Sequence, residues 1–210
     1  HNPDPGRFLL TGSIRGDLDA ETWPGTGRIV RVQLLGMTVG ERLGGSGAVP
    51  FLDRIAARTN IETPTTKTGL GEYVELALTG GFPQTALGGS TRAVRRWLES
   101  YVDQLVTRDA VQKGGGRDPE RLRRYFEACA LNSAGVVAEK TLLETANINR
   151  KTADAYEQLL KNLLVIESVP AWSSNRIKRL AKAPKRFLVE PALMGALLRL
   201  DIEAVIRDGR

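Results

Sequence analysis

The chain has 210 residues, of which 26% are charged and 41% are hydrophobic, and it carries a formal net charge of +6. This length supports one large domain or two small ones, and the positive charge is compatible with an anionic partner without establishing one. The only histidine is His1 and the only cysteine is Cys129, which excludes a Ser–His–Asp triad, a Cys₂His₂ zinc site and an intramolecular disulfide.

The first apolar segment, Phe8 to Leu10, ends in the small polar residues Thr11, Gly12 and Ser13. A continuous apolar run is typical of a strand buried on both faces of a parallel sheet, and such sheets bind ligands at the carboxyl ends of their strands. The sequence offers no earlier strand or crossover helix to complete that sheet, and a lone strand is unstable. We therefore expect a chain that is cut in the middle of a domain.

Apolar and polar residues then alternate from Ile29 to Leu35, which predicts a half-buried strand. The apolar spacing from Val49 to Ala57 predicts a short helix. A helical turn is expected over Tyr73 to Leu78, ending at the sequence Gly-Gly-Phe-Pro of residues 80–83.

Thr91 to Ala110 has the clearest helical periodicity in the chain. The segment from Lys113 to Pro119 contains three consecutive glycines, which disfavour regular structure and predict a linker. A boundary in this linker divides the chain into predicted domains of residues 1–112 and 118–210.

The second predicted domain has the pattern of a compact helical unit with a hairpin. Helices are predicted over Glu120–Leu131, Ala138–Ala146 and Arg150–Leu163, and strands over Leu164–Val169 and Arg186–Val189. Asn149 is suited to be the N-cap of the third helix. Three helices with a short turn before the third, followed by a hairpin, predict a winged helix-turn-helix. The predicted fold class is mostly α with a partial α/β N-terminal piece, in which a helical lid is followed by this winged helix.

Basic residues cluster on the predicted wing, and no acidic residue lies between Ser168 and Val189. The cluster consists of Arg176, Lys178, Arg179, Lys182, Lys185 and Arg186. These cations can contact DNA phosphates in a salt-dependent manner; the alternatives are a solvated wing or a surface that docks an acidic patch. On the third helix, Asp154 and Glu157 interrupt the basic face, which disfavours sequence-specific reading of bases.

The sequence contains no motif for binding or hydrolysing a nucleotide. A P-loop needs the pattern G-x-x-x-x-G-K-[ST], and an acidic pair after an apolar strand would be needed to hold magnesium. Neither pattern is present. We expect this chain not to hydrolyse ATP by itself.

Several separated stretches together resemble a prokaryotic family of AAA+-type ATPases that carries a C-terminal domain of unknown function. The similar stretches are Arg7–Ser13, Gly27–Glu41, Gly80–Pro83, the helix containing Trp97, Tyr101, Arg108 and Asp109, and Leu180–Leu193. The family tends to have Asp where this chain has Glu190, which leaves that position without an expected role.

The resemblance implies that this chain is a fragment of an ATP-binding ATPase, whose P-loop core would lie before His1. It implies a sensor role for Thr11 or Ser13. No motif identifies an arginine finger, and Arg108 is the candidate for that catalytic role. ATP and magnesium would bind to the parent protein, and no cofactor is expected in this fragment. Its partner would be the missing ATPase core.

Two alternatives remain open at this point: a winged-helix DNA-binding regulator that uses the basic wing, and a protein-interaction module. DNA is a candidate partner in the first of these. A homo-oligomer is compatible with the ATPase fragment and with both alternatives. No apolar run is long enough to span a membrane, and the single cysteine favours the cytoplasm.

Overall fold

The structure of the protein is a computed structural model. It describes residues 8–9, 11–12, 30, 32–45, 49, 51–58, 68–109, 118–175, 177 and 182–208. Within these ranges the chain is mostly helical, with ten α-helices and one antiparallel sheet of two strands. The chain divides into two compact units. One consists of residues 1–33 with 118–189 and is called below the unit of residues 118–189, and the other consists of residues 34–117 with 190–210.

The expected N-terminal α/β piece is wrong for the residues that the structure describes. Phe8 and Leu9 lie in no strand and are 89% exposed, and Val30, Val32 and Leu34 are 86% to 91% exposed. The apolar pattern of these segments predicted burial between other strands and helices. No described strand pairs with them, and an unpaired strand does not persist in water.

The unit of residues 34–117 and 190–210 is helical in all its described regular structure. Its helices are α1 (Val39–Arg42), α2 (Phe51–Ala56), α3 (Leu70–Thr79), α4 (Pro83–Ala86), α5 (Thr91–Gln104), which continues as a π-helical turn (Leu105–Asp109), α9 (Pro191–Leu198) and α10 (Ile202–Asp208). The expected helices near residues 49–57, 73–78 and 91–110 are therefore present with shifted ends.

The C-terminal helices belong to this unit rather than to the hairpin that precedes them. Helix α9 packs against α3 and α5, and Leu193 and Leu197 are buried there. Gly195 allows the close approach, because a Cβ at this position would lie 2.7 Å from the Leu78 Cδ2 atom. Residues 190–210 thus lie outside the hairpin-containing unit, whereas the sequence placed them with it.

Three aromatic rings pack together where α4 meets α5. The ring centroid of Phe82 lies 5.3 Å from that of Trp97 and 5.0 Å from that of Tyr101, and Trp97 stacks on Tyr101 at an interplanar angle of 19°. Phe82 is the N-cap residue of α4, directly after the two glycines of the Gly-Gly-Phe-Pro sequence. The turn therefore contributes an aromatic side chain to the helical packing.

Glu190 joins this turn to the start of α9 through a buried carboxylate. Its side chain is the N-cap of α9, because Oε1 accepts a hydrogen bond from the Ala192 N–H at 3.3 Å. Its Oε2 accepts a second bond from the Gly81 N–H at 2.8 Å. Glu190 is only 7% exposed, so these two N–H donors take the place of water as its hydrogen-bond partners.

Glycine is required beside this carboxylate. Gly80 has a φ of +77°, which favours glycine, and a Cβ there would lie 2.5 Å from Glu190 Oε1. A Cβ at Gly36 would lie 2.9 Å from Glu190 Oε2. Two segments remote in sequence therefore approach Glu190 without side chains of their own.

The unit of residues 118–189 contains three helices and the hairpin. They are α6 (Pro119–Leu131), α7 (Glu139–Ala146), α8 (Arg150–Asn162), β1 (Ile166–Val169) and β2 (Lys185–Leu188). The strands are antiparallel, with Ile166 opposite Leu188 and Val169 opposite Lys185. The order and approximate bounds of these elements were predicted from the sequence. Largely apolar side chains from all three helices form the core, among them Leu122, Phe126, Leu142, Tyr156 and Leu160.

Polar side chains cap two helices of this unit. Asp118 begins α6, because its Oδ1 accepts hydrogen bonds from the Glu120 and Arg121 N–H groups at 2.9 and 3.3 Å. Asn147 ends α7 in the left-handed conformation, and two residues later Asn149 begins α8 by accepting a bond from the Thr152 N–H at 2.9 Å. The N-cap predicted at Asn149 is confirmed.

In the described ranges, no helix has the length and apolar character needed to cross a lipid bilayer.

Replacing Glu190 with alanine removes a buried acceptor and leaves the Gly81 N–H without a partner. We expect Glu190→Ala to lower the free energy of unfolding by about 2–3 kcal/mol, measured by urea denaturation. The control is Glu203→Ala, which removes an exposed carboxylate from the same unit and should change stability by less than about 0.5 kcal/mol. Equal losses in the two variants would contradict the role of Glu190.

Candidate functional site

The residues expected to sense nucleotide do not form a described site. Thr11 is exposed and lies in no helix or strand, and Ser13 lies outside the described residues. Arg108 is part of the π-helical turn after α5, and its side chain also lies outside the described part of the structure. Thr11 and Arg108 belong to different units.

The cluster of basic residues on the predicted wing is described in part. Arg176, Lys178 and Arg179 lie outside the described residues. Lys182 precedes β2 and Lys185 begins it, and both side chains are exposed. Neither lysine makes an ion pair with any residue that the structure describes. Because both side chains are exposed, an anionic ligand can reach these two cations.

Arg186 differs from these lysines, because its side chain is held inside the unit. Its Nε and Nη2 atoms lie 3.0 and 2.9 Å from Oε2 of Glu157 on α8, and the two side chains are only 14% and 15% exposed. The guanidinium group therefore connects strand β2 to helix α8. The sequence had grouped Arg186 with the cations of the predicted wing that are candidates for contact with DNA phosphates.

The carboxylate of Glu157 has four side-chain partners. Besides Arg186, Lys161 Nζ lies 2.7 Å from Oε1 in an i,i+4 ion pair. The Tyr125 hydroxyl on α6 donates to Oε2 at 3.2 Å, and the Ser168 hydroxyl on β1 donates to Oε1 at 3.5 Å. Helices α6 and α8 and both strands thus meet at one carboxylate.

These contacts determine how the groups of the cluster ionise. Burial tends to raise the pKa of Glu157, but the hydrogen bonds and positive charges of Lys161 and Arg186 outweigh it and hold that pKa below its usual value. Burial raises the pKa of Tyr125. Burial also raises the pKa of Cys129 to about 12, so this thiol is protonated at neutral pH and is a poor nucleophile.

Helix α8 presents a polar face next to the hairpin. Arg150, Lys151, Asp154 and Gln158 are exposed on it. Together with Lys161 and the hairpin residues Ala183 and Pro184, three of these side chains line a depression of about 390 Å³. Apart from Arg186, the cations of α8 and of the hairpin whose side chains the structure describes are Arg150, Lys151, Lys161, Lys182 and Lys185, and we call this set the basic face.

The acidic residues near the basic face are neutralised to different extents. Glu157, which the sequence placed on the exposed side of the third helix, is turned inward and paired with two cations. Glu139 pairs with Arg150 at 3.3 Å. Asp154 is exposed and makes no ion pair with a described residue. One carboxylate, rather than two, therefore interrupts the cations of α8.

A larger cleft of about 660 Å³ lies within the other unit. Leu76, Val94 and Leu98 contribute to its apolar lining. Its acidic residues are Glu72, Glu75, Asp201 and Glu203, and its basic residues are Arg42 and Arg95. Both arginines are engaged, because Arg42 Nη1 donates to the Leu76 carbonyl at 2.7 Å and Arg95 pairs with Glu99 at 3.5 Å. The excess of carboxylates makes this cleft unfavourable for phosphate groups.

Sequence reasoning missed this cleft and the role of Glu157. The cleft is made from residues spread between positions 42 and 203, so no local motif marks it. For Glu157, the i,i+4 spacing to Lys161 is visible in the sequence, whereas the pairing with Arg186 depends on how the hairpin packs.

Comparison with known proteins gives a family and two relatives. The model of the family described as a domain of unknown function, DUF8612, matches residues 70–204. An uncharacterized protein of Mycobacterium tuberculosis, Rv2008c, and one of Mycobacterium bovis, Mb2031c, are each 26% identical over 198 residues, which is 94% of this chain. The chain covers 39% of the length of each relative. No solved structure matches the chain.

The resemblance to AAA+-type ATPases is wrong. The family that matches is a domain of unknown function, and the two relatives bear no ATPase name. The five stretches that suggested the resemblance were short and individually weak. Two of them contain the exposed residues Phe8, Val30 and Val32, which the resemblance required to be buried in a sheet.

The contribution of Glu157 to stability should depend on pH. Because its folded-state pKa is lowered, its ionised form stabilises the fold above about pH 4.5, and this contribution disappears as the pH falls through the lowered pKa. We expect Glu157→Gln to lose about 1–3 kcal/mol of unfolding free energy at neutral pH and progressively less in acid.

Urea denaturation of both proteins from neutral pH to pH 3 measures this difference. The control is Glu144→Gln, in which the altered carboxylate is exposed on α7 and pairs with Lys140 at 3.6 Å. This variant should follow the wild type at all pH values. A pH-independent loss in Glu157→Gln would contradict a contribution from the charge of Glu157.

Proposed function

The chain belongs to the DUF8612 family, and we propose that its unit of residues 118–189 is a winged-helix module that binds the phosphate backbone of DNA through the basic face. The proposal concerns this unit. It assigns no activity to the remainder of the longer proteins that the chain resembles.

The connectivity of the unit supports a winged helix. Three helices are followed by an antiparallel hairpin, with Asn147 and Asn149 bounding the short turn before α8. The segment between α6 and α7 also bonds to β2, because the Ala134 N–H donates to the Arg186 carbonyl at 2.8 Å. The Leu188 N–H donates to the Ser133 hydroxyl at 3.1 Å. In a winged helix the third helix and the hairpin are the elements that approach DNA.

The distribution of charge carries the proposal. Residues 150–189 contain nine Lys or Arg and three Asp or Glu, so this segment alone accounts for the net charge of +6 of the whole chain. The segment comprises α8 and the hairpin. Positive charge concentrated on the elements that face DNA favours binding to phosphates.

The contacts of Glu157 favour the same interpretation. An acid on the DNA-facing helix normally opposes binding because it repels phosphates. Glu157 is compensated by Lys161 and Arg186, so it adds little repulsion. The cations with no described ion pair, Lys151, Lys182 and Lys185, can then interact with the backbone.

Backbone binding is favoured over reading of bases. Gln158, which could bond to a base edge, already donates its side-chain amide to Asn162 Oδ1 at 2.8 Å. Lysines recognise phosphates mainly as point charges and carry little sequence information. We therefore expect similar affinity for DNA of different sequences.

The first test measures binding of a labelled DNA to wild type and to Lys182→Ala/Lys185→Ala at several salt concentrations. Each lost phosphate contact lowers the slope of log K against log salt by about 0.9, so the double variant should bind more weakly with a slope reduced by about 1–2.

The matched control is Arg121→Ala/Arg124→Ala on α6, which removes the same charge from exposed side chains paired with Asp118 and Glu120. This control should keep a slope close to that of the wild type. Wild type that binds no DNA at low salt would disprove the proposal.

A second test uses Asp154, the exposed carboxylate on α8. Asp154→Asn removes its repulsion of phosphate while keeping its size. We expect DNA affinity to rise about 3- to 10-fold at low salt, in line with a charge interaction of about 1 kcal/mol. Glu120→Gln, with the same charge change on α6, should bind like the wild type. If both variants gain equally, overall charge rather than the face of α8 determines binding.

A further inference from the structure

Trp172 lies between β1 and β2 with its side chain 82% exposed. The other described tryptophan, Trp97, stacks on Tyr101 and is shielded by Phe82. Tryptophan is the largest apolar side chain, and leaving it in water forgoes a substantial hydrophobic gain. A flat, exposed indole is therefore available to a partner with a flat apolar surface.

The charge of the hairpin favours an anionic partner for Trp172. Val169, three residues before Trp172, lies opposite Lys185 in the hairpin, and Lys182 precedes that strand. No acidic residue lies between Ser168 and Val189 in the sequence. A nucleobase attached to its phosphate provides both a flat π surface and a negative charge. Proteins that bind single-stranded nucleic acid combine aromatic side chains and cations in this way.

We propose that Trp172 stacks on an unpaired base, so that the unit binds single-stranded DNA more tightly than duplex DNA. In a duplex, both faces of each base are already stacked on neighbours and offer nothing to the indole. In a single strand, one face can be exposed to Trp172 while the basic face holds the adjacent phosphates. This inference rests on the proposed DNA binding of the same unit.

The test compares the affinity of wild type and Trp172→Ala for a labelled oligothymidylate and for a labelled duplex of equal length. We expect Trp172→Ala to bind the single strand about tenfold more weakly, which is the usual contribution of one stacked base, and the duplex with unchanged affinity. Trp172→Phe keeps an aromatic ring and should retain most of the single-strand affinity.

The matched control is Ile177→Ala, which removes an apolar side chain that is 80% exposed in the same segment. It should bind both DNAs like the wild type. Circular dichroism should be unchanged in all variants, since the substituted side chains are exposed.

Fluorescence separates stacking from charge. The part of the emission that is lost in Trp172→Phe should be quenched when oligothymidylate binds, and not when heparin, a polyanion without bases, binds. Equal weakening of single-strand and duplex binding in Trp172→Ala, or no weakening, would overturn the stacking role alone. Wild type that binds neither DNA would overturn the proposed function together with this inference.

Discussion

The unit of residues 118–189 is organised around the carboxylate of Glu157. Its two oxygens pair with Arg186 on β2 and with Lys161 on the next turn of α8, and one of them accepts a hydrogen bond from the Tyr125 hydroxyl on α6. A partly buried carboxylate is unfavourable unless such donors replace its water. Arg186 thereby links β2 to α8, while β1 packs on α8 and β2 packs on α6.

This constraint connects stability to the proposed function. The contact that fixes the hairpin on α8 also removes the negative charge of Glu157 from the surface. Lys182 and Lys185 are exposed on the hairpin, Arg150 and Lys151 are exposed on α8, and Asp154 is the remaining exposed carboxylate of α8. One ion-pair cluster inside the unit therefore links the hairpin to α8 and compensates a carboxylate of that helix.

The unit of residues 34–117 and 190–210 also contains a buried carboxylate whose water is replaced by protein donors, and there the donors are backbone N–H groups. Glu190 has a buried carboxylate that accepts bonds from the Gly81 and Ala192 N–H groups, and Gly36 and Gly80 make room for it. The contact joins positions 109 residues apart and positions α9 against the earlier helices. The two buried carboxylates thus hold together elements that are remote in sequence, one in each unit.

The sequence by itself determined the local structure of the second half of the chain. Three kinds of feature were predicted because they depend on neighbouring residues: the helical periodicity of α6, α7 and α8, the N-cap at Asn149, and the two strands. The same reasoning was wrong at Phe8 and Val32, because apolar runs indicate burial only where partner strands exist. Tertiary structure alone decided that Arg186 and Glu157 pair inside the unit, that residues 190–210 pack with the first helices, and that Trp172 remains exposed. These outcomes depend on which side chains meet across long sequence separations, and local pattern carries no information about that.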